Sequence, residues 1–134
     1  MGLIYANITL SNARNSDLKP IEVSSLVDTG AMMMCIPEHI AIQLQLAELE
    51  KREVTTADGK KHLCQYVGPL EVKFENRSCY TGALVLGAQV LLGAIPMEDM
   101  DLIIHPLYRK LSVNPESPNI PSNIVMAAEE IINN

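Results

Sequence analysis

No lysine- or arginine-rich run long enough to track a phosphate backbone occurs in this 134-residue chain, and acidic side chains outnumber basic ones 16 to 10, for a net charge of −6. A nucleic-acid partner is not expected. Every apolar stretch falls short of the roughly 18 to 20 residues that cross a bilayer, so no membrane span is expected either. Met1 to Ile8 carries no positive charge ahead of its apolar residues and reads as mature structure, not a signal peptide. Ala6 stands where a myristoylation signal at Gly2 would want serine or threonine. The chain is expected to be soluble and cytoplasmic.

Metal-ligand spacing is also missing. His39, His62 and His105 lie far apart, with no carboxylate or cysteine at a ligand's distance along the chain, so neither a metal nor an organic cofactor is expected. Cys35, Cys64 and Cys79 are odd in number and sit among apolar or alternating residues, the pattern of reduced, buried and inert thiols. Nothing marks Cys35 as a cysteine-protease nucleophile. Internal repeats are absent: Asp-Thr-Gly occurs once and Leu-Leu-Gly once.

What the chain does have is apolar content, 48% of its residues, enough for one compact domain with a real core. Ile4, Ala6, Ile8 and Leu10 alternate with polar neighbours, so residues 3 to 10 read as a strand. A Ser/Asn/Asp-rich loop from Ser11 to Lys19 leads past Pro20 into a second strand, Ile21 to Val27. Pro37 can occupy a helix's first turn, and Ile40 and Leu44 share a face, giving a short helix from Pro37 to about Leu44. Glu48 to Glu53 mixes both signs and reads as a solvated face after that helix.

Asp58-Gly59 between β-favouring residues predicts a hairpin over Val54 to Leu63, with a two-residue turn and a polar tip. Leu70, Val72 and Phe74 alternate with charged residues, and Asn76-Arg77-Ser78 turns the chain into a partner strand over Cys79 to Leu86. Val90-Leu91-Leu92-Gly93 suits a strand buried on both faces, followed by a helical turn at Pro96 to Met100. Leu102 to Ile104 and Leu111 to Val113 form a closing pair. The folded domain is expected over residues 1 to 114. Residues 115 to 134, with Pro115, Pro118 and Pro121 at even spacing, are expected as an extended tail with a short helix over Ile124 to Ile132.

The chemistry points to Asp28. Amide hydrolysis by carboxylates alone needs two of them sharing a proton, one to take a proton from water and one to donate to the substrate carbonyl. A strand of small and apolar residues ending in Asp28-Thr29-Gly30 suits this, since the glycine permits a tight turn that aims the carboxylate into a cleft. Asp-Thr-Gly can also be an ordinary turn.

Leu26-Val27-Asp28-Thr29-Gly30-Ala31, followed further on by Leu91-Leu92-Gly93, resembles the retropepsin-like aspartic proteases, with a single Asp-Thr-Gly and of the prokaryotic type within clan AA. The resemblance covers residues 1 to 114. It implies an all-β, closed acid-protease barrel with one short helix, and a homodimeric active site that cleaves polypeptides. By the same resemblance, Asp28 is the catalytic aspartate, Thr29 reaches its twin in the partner subunit, and Gly30 donates its backbone N–H to the carboxylate. Ala31 and the hairpin tip at Ala57, Asp58 and Gly59 would bind substrate, the tip acting as a flap. Because the motif occurs once, the second carboxylate would come from Asp28 of another copy about a two-fold axis. Met32 departs from the retroviral pattern, which commonly has aspartate there, and the flap has one glycine, Gly59. Met32 to Met34, flexible and apolar, could line a peptide groove or fill the core, and packing in the core is the reading expected. The alternative of a different class is a non-catalytic dimeric module that binds peptides or proteins on the same fold.

Overall fold

The computed structural model describes residues 3–125. In chain order the elements are β1 (Tyr5–Asn12), β2 (Ile21–Val27), β3 (Met34–Ile36), α1 (Glu38–Gln43), β4 (Ala47–Thr55), β5 (Lys61–Phe74), β6 (Arg77–Val85), β7 (Leu91–Leu92), α2 (Ala94–Asp99), β8 (Leu102–His105) and β9 (Lys110–Val113). The main sheet runs β1-β2-β7-β3-β6-β5-β4, and a further pairing of β1 with β5 closes six of these strands into a barrel. β4 extends beyond the barrel, and β8 and β9 form a separate pair. The fold is mostly β, as expected, with two short helices where the sequence predicted one helix and a helical turn.

The predicted alternation builds β1: Ile4, Ala6, Ile8 and Leu10 all point into the core. The strand continues to Asn12, past the apolar stretch, because its second edge gains β5, with Ser11 opposite Glu71 and Asn12 opposite Leu70. The Ser11 hydroxyl donates to Glu71 across that pair. β5 pairs with β6 along one edge and with two strands in turn along the other, and its register on β6 shifts at Gly68-Pro69. Its first half pairs with β4, and its second half closes the barrel on β1. A register shift of this kind bends a strand and sharpens its twist.

Leu10, Met34, Ile36, Leu70, Val72 and Leu92 are almost fully buried and fill the barrel. Of the three consecutive methionines only Met34 joins this core. Met32 is exposed and Met33 half-buried, which corrects the expectation that all three pack inside. Cys35, Cys64 and Cys79 are buried and free. Burial pushes the Cys79 thiol up to about 12, helped by the charge of Asp99.

α2 starts earlier than the predicted turn at Pro96, and the reason is local. The first N–H groups of a helix have no partner inside it. Here Ala94 and Ile95 donate theirs to the carbonyls of Ala31 and Met32, at 2.8 and 2.9 Å. Pro96, which has no N–H, then falls in the first turn, where none is needed.

Beyond Val113 the chain holds no strand or helix as far as residue 125, yet it is tied back to the turn between α2 and β8. Asp101 accepts from the Asn114 side chain at 3.1 Å and from the Ser122 backbone at 2.9 Å, and also from the Ser117 hydroxyl. These donors, Ser117 first, hold the Asp101 carboxyl below its usual range. The helix expected over Ile124 to Ile132 lies, from residue 126 on, outside the described residues.

Candidate active site

β2 delivers Asp28 to a fixed place. Val27 donates its N–H to Ile4 at 2.8 Å, and Asp28 donates its own to Leu92 at 3.0 Å. A turn closes immediately, with Ala31 N–H on the Asp28 carbonyl at 3.2 Å. Gly30 donates its N–H to Asp28 Oδ1 at 2.9 Å. The glycine is not needed here for a left-handed backbone, since positive φ occurs only at Gly59 and Gly87 among the described glycines. What it supplies is space: a Cβ at Gly30 would lie 3.2 Å from that carboxylate oxygen, a tight contact that would press on the Asp28 side chain.

β7 runs under this turn. It pairs parallel with β2, Leu26 opposite Leu91 and Val27 opposite Leu92, and antiparallel with β3 through Cys35 and Leu91. Leu91-Leu92-Gly93 therefore threads between the strand entering the Asp28 loop and the strand leaving it. At its end Gly93 touches the loop's backbone, and a Cβ there would sit 2.3 Å from the Met33 carbonyl oxygen.

The predicted hairpin is present and longer than expected, with β4 and β5 as its arms. Its tip corrects the predicted two-residue turn. Thr56 donates its N–H to Lys60 at 3.0 Å and Gly59 donates to Thr56 at 2.9 Å, enclosing three residues, Ala57 to Gly59. Gly59 has φ +82°, whereas Asp58 stays out of the positive region that a type I′ turn demands of both residues.

Asp58 acts instead through its side chain, accepting from the Thr56 hydroxyl at 2.6 Å and the Lys60 N–H at 3.0 Å. The Thr56 bond first, then the Lys60 bond, holds its carboxyl below the ordinary 3.8. A depressed folded value stabilises the tip above the unfolded pKa, and that contribution is lost as pH falls through the folded value. The Lys60 amide resonance should therefore shift below pH 3.8 in a titration followed by NMR, and stay flat in Asp58→Asn.

Loop and hairpin line a partly open cavity of about 690 Å³. Asp28, Gly30, Ala31 and Met33 form its floor on one side, Cys35, Leu84 and Leu91 continue it, and Val54, Thr56 and Ala57 belong to the hairpin. Of the residues predicted from sequence, Asp28, Gly30, Ala31 and Ala57 thus meet at one cavity, while Asp58 and Gly59 lie at the exposed tip. Thr29 faces elsewhere, into a shallow recess with Ala94, Met97 and Leu102 to Ile104. The Cys35 thiol is pushed up by burial and then by the charge of Asp28, which keeps it protonated and a poor nucleophile. Among the described residues, no three His, Cys, Asp or Glu side chains gather as a metal set would.

Sequence reasoning missed Arg52, Tyr66 and Gly82. Glu48 to Glu53, predicted as a solvated face after the helix, is strand β4, with Arg52 directly opposite Cys64. Extending both arms outward from Asp58-Gly59 would have placed it there.

No family model matches the chain, and no curated protein matches it. Solved structures do. It is similar to the crystal structure of the retroviral protease-like domain of Ddi1 from Leishmania major, at 14% identity over 90% of this chain and 94% of that one, with a TM-score of 0.57. The solution structure of Simian Foamy Virus (mac) protease matches 69% of this chain and 90% of its own, at 17% identity and a TM-score of 0.47. At these identities the likeness to the Leishmania domain is one of fold, and by that likeness the chain has the retropepsin-like fold.

Proposed function

We propose that this chain is one subunit of a homodimeric aspartic endopeptidase, a prokaryotic-type retropepsin-like enzyme in which two copies of Asp28 share one site. The observation that carries the reading is Asp28 itself: a carboxylate on a hydrogen-bonded turn, held by the Gly30 N–H, lining one cavity together with the β4–β5 hairpin. One such carboxylate cannot both accept a proton from water and donate one to the carbonyl. In the dimer, ionised Asp28 takes the proton of a water that attacks the peptide carbon, and protonated Asp28 of the other copy donates to the carbonyl oxygen. Collapse of the tetrahedral adduct then breaks the C–N bond, and a carboxyl proton goes to the leaving amine. Thr29, exposed and pointing away from the cavity, is on this reading a contact across the two-fold axis. Ala31 and the hairpin tip at Ala57, Asp58 and Gly59 bind the polypeptide. The three free cysteines suit a cytoplasmic, reducing setting.

The test is incubation of the purified chain with an unfolded protein, alongside sedimentation. Cleavage that is blocked by a statine-type transition-state mimic, from a species of two chains, is the expected result. A single chain at micromolar concentration that cleaves nothing defeats the proposal, and binding of peptide without cleavage would mark a binding module.

A further inference from the structure

We propose that Arg52 is a positioning residue that pins the hairpin arm over the Asp28 loop and so governs how a peptide enters the cavity. The peptide-entry half of this rests on the protease reading above. β4 is the outermost strand of its sheet, with β5 as its only neighbour there. What holds the arm over the loop must then come from side chains. Along β4 and into the tip, Arg52, Val54 and Thr56 are half-buried while Lys51, Glu53 and Thr55 are exposed, so Arg52 lies on the covered face.

There the guanidinium is held on three sides. It lies 3.8 Å from the centre of the Tyr66 ring. Nε and Nη2 donate to Glu50 Oε1 at 3.1 and 2.8 Å. Nη1 donates to Met33 Sδ at 3.2 Å. Among the described residues, no other β4 side chain hydrogen-bonds to the segment from Asp28 to Met33. Met33 lines the cavity, and its carbonyl rests against Gly93, so Arg52 and Gly93 both bear on one residue of the loop.

The platform under Arg52 also depends on a missing side chain. A Cβ at Gly82 would lie 2.1 Å from a Tyr66 ring carbon and 2.4 Å from its hydroxyl oxygen, so the phenol end of the ring takes the space left by the bare backbone of β6. A planar guanidinium can stack on that ring while its fork engages Glu50. A lysine ammonium, a compact point charge, cannot do both.

Hydrogen exchange read by mass spectrometry on the full chain, with Arg52→Met, Arg52→Lys and Met33→Leu, decides this. Both Arg52 variants should speed exchange of the 47–60 amides about fivefold, with β1 and β6 less affected and Tm lowered by about a few degrees, as expected for losing one stacked, hydrogen-bonded cation. Met33→Leu, which keeps the volume and removes the sulfur acceptor, should give a smaller rise. In peptide cleavage the Arg52 variants should raise KM by a similar factor of about five and leave kcat alone, the pattern of lost uniform binding. Unchanged exchange in Arg52→Met, or full rescue by lysine, overturns the proposal. Faster exchange in a protein whose wild type cleaves nothing keeps the pin and removes the protease reading. Normal cleavage with unmoved exchange removes the pin alone.

Discussion

Replacing Asp28 by asparagine should lower peptide-bond cleavage by about 10²- to 10⁴-fold, the range for losing a general acid–base group. Asparagine keeps the carbonyl oxygen that accepts from Gly30 at 2.9 Å, so the turn should survive. Stability should therefore change little, and the loss should fall on kcat. Asp28→Ala removes that acceptor as well, and separates chemistry from folding less cleanly.

The same variant tests whether the site is shared. If each active site takes one Asp28 from each subunit, co-refolding equal amounts of wild type and Asp28→Asn leaves about a quarter of the dimers with both carboxylates. Activity per total chain should then be about a quarter of that of wild type alone, whereas a site complete within one chain would retain about half. Steady-state rates on the mixture, with subunit exchange confirmed by mass spectrometry, distinguish the two. A value near half would refute a shared dyad even if Asp28 proved essential.

How much of this was legible in the sequence depends on how local each feature is. The two-residue period of Ile4 to Leu10 and the bounds of Ile21–Val27 come through because each strand has one buried face and one wetter face. The Asp28 loop comes through for a similar reason, since its turn and its Gly30 contact are made within four residues. β4 does not. As an edge strand beyond the barrel it exposes most of both faces, so no alternation is written in Ala47 to Arg52, and its charges show a solvated face without showing the strand. Charged residues on such an edge also discourage pairing with other chains.

The hairpin tip misled for a different reason. Asp-Gly is the expected pair for a type I′ turn, but an aspartate that bonds its own downstream N–H stabilises a type I turn followed by a left-handed glycine. Thr56 and Lys60 supply the groups that favour this choice. The contact of Arg52 with Met33 spans 19 residues and had no local signature. Nor did the start of α2, which is set by carbonyls of a loop far back in the chain.

Gly93→Ala is the substitution that should damage fold and site together. Gly93 has φ −84° and ψ 177°, an extended backbone that alanine adopts freely, so strain of the main chain is not the issue. The obstacle is contact: the new methyl would lie 2.3 Å from the Met33 carbonyl oxygen and 2.8 Å from the carbonyl carbons of Met32 and Met33. Those are backbone atoms and cannot rotate away as a side chain could. Either β7 drops or the loop lifts. Moving β7 would disturb the bond from Asp28 to Leu92, and lifting the loop would stretch those from Ala94 and Ile95 to Ala31 and Met32. Overpacking of this kind costs about 1–3 kcal/mol, read as a lower denaturation midpoint. A displacement of about 1 Å at the reacting group costs on the order of 10²-fold in rate, so the surviving folded protein should be far less active than its stability loss alone explains. Gly87→Ala, at an exposed position with φ +80° and nothing within 4 Å of the added Cβ, serves as the control. It should cost stability through backbone strain while leaving kcat unchanged, because its cost does not pass through the Asp28 loop.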